Sequence, residues 1–230
     1  MPEFDNYADE YKKLLHDPIR ERFAPGSGFF FERKWQLLEH YAATNGLNLK
    51  KTAWLDVGCG KGDLLRIGKK HVASAAGCDL SSEMLAACKD LDISLQTEPT
   101  RLPFADQQFD LITVVCVYHH VPLDARDALS SEIHRILRPG GVACMIEHNP
   151  FNPITQLIIH RTPVDADAIL LTAGSARRLF SKAGLGRFST EYFLYFPESL
   201  YKQLSAVEHM LSWLPGGGQY AVFARKPAAG

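Results

Sequence analysis

A short apolar run that leads into a turn with three glycines constrains this chain more than any other feature of its sequence. The run Thr52–Val57 is followed by Gly58–Gly62, and the residues from Asp63 to Lys70 have the pattern of a helix. Since glycine has no side chain, such a turn allows the backbone to approach a ligand closely. In open α/β folds, ligands bind at the carboxyl edge of the parallel sheet, where turns of this kind lie. The sequence therefore predicts a ligand site at residues 58–62.

The spacing of the glycines excludes two common phosphate-binding turns. A dinucleotide-binding turn has the pattern G-x-G-x-x-G, but Asp63 occupies the position of its last glycine. A Walker loop needs a glycine at the position of Leu55 and a serine or threonine at the position of Gly62. The remaining pattern, D-x-G-x-G-x-G, places Asp56 just ahead of the turn. A carboxylate there repels a pyrophosphate and favours a ligand with a cationic end.

From residue 52 onward, apolar runs typical of buried strands alternate with patterns typical of helices. Strands are predicted at Thr52–Val57, Val72–Cys78, Ile93–Thr97, Phe109–Val117, Val142–Ile146, Arg187–Phe196 and Gln219–Arg225. Helices are predicted at Phe29–Asn45, Asp63–Lys70, from a cap at Ser81 or Ser82 to Ala87, at Pro122–Leu137, at Ser175–Ala183, and along an apolar stripe from Leu200 to Leu214. Unbroken apolar strands separated by helices predict a doubly wound α/β fold, in which helices cover both faces of a mostly parallel sheet.

Asp79, at the end of the second predicted strand, is the second candidate for ligand binding. It lies 17 residues beyond Gly62. A carboxylate in this position can accept hydrogen bonds from two neighbouring ribose hydroxyls, and each such charged bond contributes about 1.5–3 kcal/mol. Considered alone, Asp79 also fits the N-cap of the following helix. Its combination with the glycine turn favours the ligand role.

Composition bounds the classes of function. The chain has 230 residues, a formal net charge of −1 and scattered basic pairs, which argues against binding to nucleic acid. No run approaches the roughly 18 apolar residues of a membrane span, and the acidic N-terminus lacks a signal-peptide pattern. Five cysteines, an odd number with no C-x-x-C pair, predict reduced thiols in a cytoplasmic protein. Cys78, Cys116 and Cys144 fall in apolar runs and are expected in strands of the core.

Six segments of the sequence, in their order and spacing, resemble the class I S-adenosylmethionine-dependent methyltransferases, in particular the broad group that includes the quinone-biosynthesis methyltransferases. They are Leu55–Gly62, Gly77–Leu85, Leu102–Phe104, Phe109–Ile112, Tyr118–Val121 and Glu132–Gly141. The resemblance implies a Rossmann-like fold with about seven strands, of which the last is antiparallel. It also implies S-adenosylmethionine as the cofactor and transfer of its methyl group to a small-molecule or lipid-like acceptor.

The resemblance assigns contacts with the cofactor to individual residues. The backbone near Gly58 faces the methionine part, Asp56 lies near the amino group, and Asp79 binds the ribose. Leu80 and Met84 line the adenine. The implied cofactor-binding residues are Asp56, Gly58, Cys59, Gly60, Asp79, Leu80, Met84, Glu98, Pro99, Cys116 and Tyr11.

The assignments of Glu98, Pro99 and Tyr11 concern the rim of the implied site. Glu98 occupies a position where the family often has an acid that binds the adenine amino group. The next residue of the family usually donates a backbone N–H to the adenine ring, but here it is Pro99, which has no N–H. Tyr11 ends the segment Tyr7–Tyr11, which is similar to one that often folds over the cofactor in this group.

Three histidines follow predicted strand ends on the ligand edge of the sheet. Each of His119, His120 and His148 is a candidate general base, and a histidine that only bonds to the backbone of a loop is an equally open interpretation. The sequence has no H-E-x-x-H, H-x-H or cysteine–histidine cluster. Because His119 and His120 are adjacent, we do not expect them to converge on one ion, and no metal site is predicted.

The organisation along the chain predicts one compact domain. Residues 1–50 are predicted to form an N-terminal helical cap, and residues 51–230 a cofactor-binding domain with inserted segments at 148–172 and 197–214. We expect the inserted segments, with the N-terminus, to recognise the acceptor through an apolar wall; mere cover of the sheet is the alternative. The stripe in the second segment is interpreted as core packing, with a lid, a dimer face or a membrane contact left open. The sequence predicts no oligomeric state.

Other interpretations stay open. Asn149-Pro150-Phe151 resembles the N-P-P-F/Y signature of DNA amino-methyltransferases, but it lacks the second proline and follows the fifth strand rather than the fourth. We therefore treat it as a chance match and expect no nucleic-acid partner.

Two alternative functions are an enzyme that uses the same cofactor for different chemistry and a non-catalytic cofactor-binding partner of another enzyme.

Overall fold

Seven strands form one sheet in this protein, which we describe from a computed structural model of residues 5, 14–165 and 167–228. The strands are β1 (Ala53–Val57), β2 (Ser74–Asp79), β3 (Asp92–Leu95), β4 (Phe109–Val115), β5 (Leu137–His148), β6 (Gly186–Phe193) and β7 (Gln219–Arg225). The helices are α1 (Pro18–Phe23), α2 (Gly28–Thr44), α3 (Asp63–Gly68), α4 (Ser82–Leu85), α5 (Arg126–Ile136), α6 (Pro153–Arg161), α7 (Ala173–Lys182) and α8 (Glu198–Leu211). Single turns of 3-10 helix occur at Leu49–Lys51, Tyr118–His120 and Pro163–Asp165.

The strand order is β3-β2-β1-β4-β5-β7-β6, and only β7 runs antiparallel to its neighbours. The prediction of a doubly wound, mostly parallel, seven-stranded sheet is confirmed. The order reverses at β1, which pairs with β2 on one side and β4 on the other, so that Asp56 is opposite both Gly77 and Thr113. A reversal of this kind opens a crevice at the carboxyl ends of the strands, where ligands bind.

Helices pack on both faces of the sheet. On one face, α5 and α7 bury Ile133 and Phe180. On the other face, α2 lies against the sheet, and its Tyr41 stacks on Phe223 of β7 with ring centroids 3.9 Å apart. The N-terminal helix α2 is therefore part of the layer that covers the sheet.

Of the element boundaries that differ from the prediction, three have an identifiable physical cause. The helix predicted from Pro122 begins at Arg126, because residues 122–125 form a turn closed by a bond from Ala125 N–H to the Pro122 carbonyl. Strand β5 begins at Leu137 rather than Val142, since Leu137 already pairs with Phe109. Strand β4 ends at Val115, and the residue after it has a left-handed backbone conformation.

A buried ion pair attaches α8 to α2. Arg33 Nη2 lies 2.6 Å from Glu208 Oε1, and both side chains are almost fully buried. Glu208 Oε2 also accepts a hydrogen bond from the Tyr195 backbone N–H, at 2.9 Å. The prediction that the Leu200–Leu214 stripe packs in the core is wrong, because Leu200 is 48% and Val207 is 41% exposed. Within the described residues, no helix is long and apolar enough to cross a membrane.

We expect Glu208→Ala to destabilise the fold by about 3–5 kcal/mol, because it leaves the buried Arg33 guanidinium without its charged partner. Chemical denaturation followed by circular dichroism measures the change. Glu198→Ala, on the exposed start of the same helix, is the matched control, and we expect its effect to be below about 1 kcal/mol. Equal effects of the two substitutions would contradict this role of Glu208.

Candidate functional site

The glycine turn after β1 is tight on one side and open on the other. Gly58 has φ +70°, and a Cβ there would lie 2.3 Å from Val117 Cγ2, so the turn packs against the chain beyond β4. The N–H groups of Gly58 and Cys59 both bond to the Cys78 carbonyl. Gly60 has φ +53° with open space where its Cβ would be, so a ligand can approach its backbone.

Asp79 lies beside this turn with capacity left to bind a ligand. Its Oδ2 accepts a bond from the Gly60 N–H at 2.8 Å, and its Oδ1 accepts one from the Ser81 N–H at 2.9 Å. A carboxylate offers about four acceptor positions, so Asp79 can accept bonds from ligand hydroxyls in addition to those from its backbone donors. Burial raises the pKa of Asp79, and its backbone donors oppose this rise. The N-cap of α4 is Ser81, whose side chain accepts the Met84 N–H, so the alternative role for Asp79 is filled by another residue.

One described residue of the N-terminus reaches this edge. The Ser81 hydroxyl donates to Asp5 Oδ1 at 2.6 Å. Asp5 therefore lies beside the loop after β2, close to Asp79. Tyr11, for which a cofactor contact is predicted, lies outside the described residues.

Asp56 lies beneath the turn, where it is buried. The Thr113 hydroxyl donates to Asp56 Oδ1 at 2.5 Å, and the Trp54 Nε1–H donates to the same hydroxyl oxygen at 2.9 Å. Burial raises the pKa of Asp56 to about 7, while the bond from Thr113 and the positive charge of Lys34 oppose the rise. A cationic group of a ligand placed here would stabilise the ionised carboxylate.

Lys34 is a site residue that the sequence interpretation missed. It lies on α2, its side chain is buried, and its positive charge acts on Asp56, Cys116 and His148, at the ends of three strands. Its ammonium also lies 4.9 Å from the centre of the Phe31 ring. A signal was present: Lys34 falls four residues after Phe30 and four before Leu38, on the apolar face of the helix.

The residues predicted to line the adenine differ in exposure. Leu80 is partly exposed, whereas Met84 is buried and offers little surface to a ligand. Glu98 and Pro99 lie on an exposed turn after β3. The Gln96 side chain holds this turn by donating to the carbonyls of both residues, at 2.8 and 3.2 Å.

Cys116 lies just beyond β4, so the prediction that it belongs to a core strand is wrong. Its φ is +55°, a left-handed conformation that is uncommon for residues other than glycine. Its N–H bonds to the Ile146 carbonyl, and the Gln219 amide approaches its sulfur at 3.5 Å. Such backbone strain is most often found at functional sites. All five cysteines are free.

The three candidate histidines lie together at the ends of β4 and β5, and the Asp165 carboxylate is close to two of them, His119 and His120. His119 Nδ1 is 2.6 Å from Glu147 Oε2. His119 Nε2 and His120 Nε2 are each 3.4 Å from Asp165 Oδ1. The expectation that adjacent histidines do not converge on one point is therefore wrong, because the turn of 3-10 helix at residues 118–120 directs both rings toward Asp165.

The electrostatics of these histidines differ. Burial alone would lower the pKa of His119, but the carboxylates of Glu147 and Asp165 outweigh it and raise this pKa well above its ordinary value. The His148 ring centre is 5.3 Å from that of His119. Burial lowers the pKa of His148 to about 4, and the neighbouring His119 contributes in the same direction.

Asn149 has a structural role, consistent with a chance match to the DNA-methyltransferase signature. It is buried, and its amide donates to the carbonyls of Pro215 and Gly217 at 3.0 and 2.8 Å. Its Oδ1 accepts the Phe151 N–H. Asn149 therefore joins the end of β5 to the turn before β7.

The inserted segment after β5 exposes apolar side chains. We expected its apolar residues to pack, but Phe151 is 63%, Ile154 55%, Leu157 42% and Ile169 49% exposed. By contrast, Ile159, Val164 and Leu171 of the same segment are buried. An apolar surface therefore follows directly after the histidines.

Comparison with known proteins gives one family. A family model described as a methyltransferase domain matches residues 55–145. The demethylmenaquinone methyltransferase of Staphylococcus epidermidis is 33% identical over 139 residues, which are 56% of this chain and 56% of that protein. The chain spans about half the length of the curated relatives it matches.

Solved structures share the fold. A Thermotoga maritima protein, described as an S-adenosylmethionine-dependent methyltransferase and possible histamine N-methyltransferase, superposes with a TM-score of 0.68 at 17% identity, over 97% of this chain and 98% of its own. The cyclase SpnF superposes with a TM-score of 0.63 at 18% identity, over 98% of this chain and 94% of its own. At these identities the likeness shows the fold.

We expect Asp79→Ala to weaken binding of S-adenosylmethionine by about 10- to 100-fold, since one charged hydrogen-bonding group is lost and each ~1.4 kcal/mol is tenfold. Titration calorimetry measures the change. Asp92→Ala, on the exposed edge strand β3, is the matched control and should bind as the wild type does. Unchanged affinity in a folded Asp79→Ala protein would remove Asp79 from the site.

Proposed function

We propose that the chain is a class I S-adenosylmethionine-dependent methyltransferase and that it methylates a small, largely apolar acceptor of the quinol or phenol type. When bound, S-adenosylmethionine supplies a methyl group on a cationic sulfur, which an acceptor atom attacks in line. The protein therefore has to hold the two reactants in the right geometry, which can contribute about 7–11 kcal/mol.

One observation carries the proposal: two buried groups of opposite charge lie at the carboxyl edge of the sheet, beside the glycine turn. Asp56 and Lys34 match the amino and carboxylate groups of an amino-acid end. Asp79, beside the glycine turn, matches a pair of ribose hydroxyls. A ligand with an amino-acid end and a ribose thus fits the order Lys34–Asp56–Asp79 across the edge.

The acceptor class rests on surface chemistry and on the relatives. Apolar side chains of the segment after β5 and of α8 are exposed. Such a surface binds an apolar ring better than a charged metabolite. The demethylmenaquinone methyltransferases among the relatives are named for a quinone acceptor. We also propose a cytoplasmic location, which the five free cysteines support.

A base role for one of the three histidines stays a prediction. Both ring nitrogens of His119 face carboxylates, Glu147 on one side and Asp165 on the other. That arrangement suits an orienting role better than proton abstraction. His148 is the more suitable candidate, since His120 also faces Asp165, and the reaction needs a base only where the acceptor must lose a proton.

One alternative has a specific observation behind it. The fold is shared with the cyclase SpnF, so this scaffold also serves a protein named for a different reaction. Product analysis distinguishes the two functions, because cyclisation leaves the methyl group on the cofactor.

The test of the proposal is turnover with a panel of acceptors. We expect S-adenosylhomocysteine and a methylated product with naphthoquinols or alkylated phenols, and not with ethanolamine phosphate or histamine. Replacing Phe151 and Leu157 by serine should raise KM for the acceptor about tenfold or more, since each buried side chain of this size contributes about 1.5–3 kcal/mol. Cofactor affinity should stay unchanged.

The matched control is Leu123→Ser, which replaces an exposed apolar residue in the turn before α5. A preference for polar amines, or an unchanged KM in the Phe151→Ser, Leu157→Ser variant, would contradict the proposed acceptor class.

We expect Lys34→Met to weaken binding of S-adenosylmethionine by about tenfold or more, because a charged hydrogen bond to the carboxylate is lost. The informative comparison is with the decarboxylated cofactor, which has no carboxylate and should bind the variant and the wild type equally. Lys51→Met, at an exposed position, is the control. An equal loss of affinity for both forms of the cofactor would show that Lys34 acts through the fold.

A further inference from the structure

The side chains of His119, His120 and Asp165 converge on one point, and we propose that they bind a divalent transition-metal ion of the zinc type. One ligand atom from each residue lies within 4.8 Å of the others. The two histidine Nε2 atoms are each 3.4 Å from the same carboxylate oxygen of Asp165. Two imidazole nitrogens and one carboxylate oxygen, from two separate segments of the chain, therefore lie close together.

The separations fit coordination better than direct ion pairing. Charge-assisted N–H···O bonds are typically about 2.7–2.9 Å long, shorter than the two distances found here. Two ligand atoms that each lie 2.0–2.1 Å from a tetrahedral zinc ion are about 3.4 Å apart. The Asp165 oxygen thus stands from both histidine nitrogens at about the spacing of tetrahedral ligands.

Glu147 prepares His119 for this role. Its Oε2 accepts from His119 Nδ1 at 2.6 Å, and its Oε1 accepts the Tyr118 N–H at 2.7 Å. A proton held on Nδ1 directs the Nε2 lone pair toward Asp165, which is itself an acceptor. The two acceptors need a cation between them, either a proton or a metal ion. A carboxylate behind a histidine ligand is the usual outer shell of a zinc site.

The framework around the three residues is held by hydrogen bonds. The Asp165 N–H bonds to the Thr162 carbonyl, and the Ile169 N–H bonds to the His119 carbonyl at 2.8 Å. Arg126 Nη2 donates to the Ile169 carbonyl at 2.7 Å, which ties the same loop to α5. The donors are thus fixed before an ion arrives, while the partly exposed His120 side chain leaves a path of entry.

The donor set selects the class of ion. Two imidazoles and one carboxylate suit zinc, iron(II) or cobalt(II), whereas magnesium and calcium prefer oxygen donors. Three protein ligands leave a fourth position of a tetrahedral ion open, as in catalytic zinc sites. Binding of the ion does not depend on the proposed function; only a role in orienting an acceptor oxygen rests on it.

The test uses the full chain, freed of metal with a chelator and then titrated with Zn²⁺ against a chromophoric competitor. We expect one ion per chain. His120→Ala and Asp165→Asn should each weaken binding by more than about 10- to 100-fold, the range for loss of an outer-shell partner. His160→Ala and Asp167→Asn, both at exposed positions nearby, are the matched controls and should bind as the wild type does.

Cobalt(II) in place of zinc reports the ligands. The proposal predicts the visible absorption of a four-coordinate ion with nitrogen and oxygen ligands, lost in His120→Ala. An absorption band of cobalt–thiolate bonds would place the ion on cysteines and overturn the proposal. So would a stoichiometry well below one, or equal affinity in the variants and the wild type, which would leave an ion pair of His119 with two carboxylates. Calorimetric binding of S-adenosylmethionine, measured on the same variants, checks their folding and keeps this test separate from that of methyl transfer.

Discussion

The hydrogen bond from the Gly60 N–H to the Asp79 carboxylate joins the ends of β1 and β2, and the candidate site is organised around it. It fixes the glycine turn at the point where the strand order reverses, so the turn stays open toward the crevice. It also fixes the orientation of the Asp79 carboxylate beside the turn. A carboxylate that first orders the protein backbone and then binds a ligand needs no rearrangement when the ligand arrives.

Two adjacent basic residues of helix α2, Arg33 and Lys34, are buried and have different roles. Arg33 pairs with Glu208 and attaches α8. Lys34, the next residue, extends toward the strand ends and places a positive charge beside Asp56. Because both side chains are buried, their positions depend on the packing of α2 on the sheet, where Tyr41 stacks on Phe223. We therefore expect substitutions that destabilise α2 to weaken ligand binding at the candidate site as well.

The sequence predicted those features that depend on local order along the chain. The glycine spacing, Asp79 and six of the seven strands within a few residues follow from runs and turns that are contiguous in sequence. Strand β5 was predicted at its centre but not at its ends, because the pairing of Leu137 with Phe109 is a tertiary contact. Cys116 was assigned to a strand because it continues an apolar run, whereas its backbone turns at that residue.

The features that sequence reasoning missed depend on contacts between distant residues. Asp165 meets His119 and His120 only because the loop after α6 folds back onto the end of β4. The stripe on α8 has the periodicity of a core helix, yet the buried side carries Glu208, and no local pattern distinguishes a stripe that faces the sheet from one that faces solvent. Both errors arise where long-range packing outweighs local pattern.

We expect the edge formed by Lys34, Asp56 and Asp79 to bind S-adenosylmethionine with its sulfur directed toward the histidines. A crystal structure with bound S-adenosylhomocysteine is the decisive experiment. We expect both ribose hydroxyls to bond to Asp79, the amino-acid end to lie between Asp56 and Lys34, and the sulfur to face the cluster of His119, His120 and His148. A ligand bound in another cavity, or one whose sulfur faces away from these histidines, would contradict this expectation.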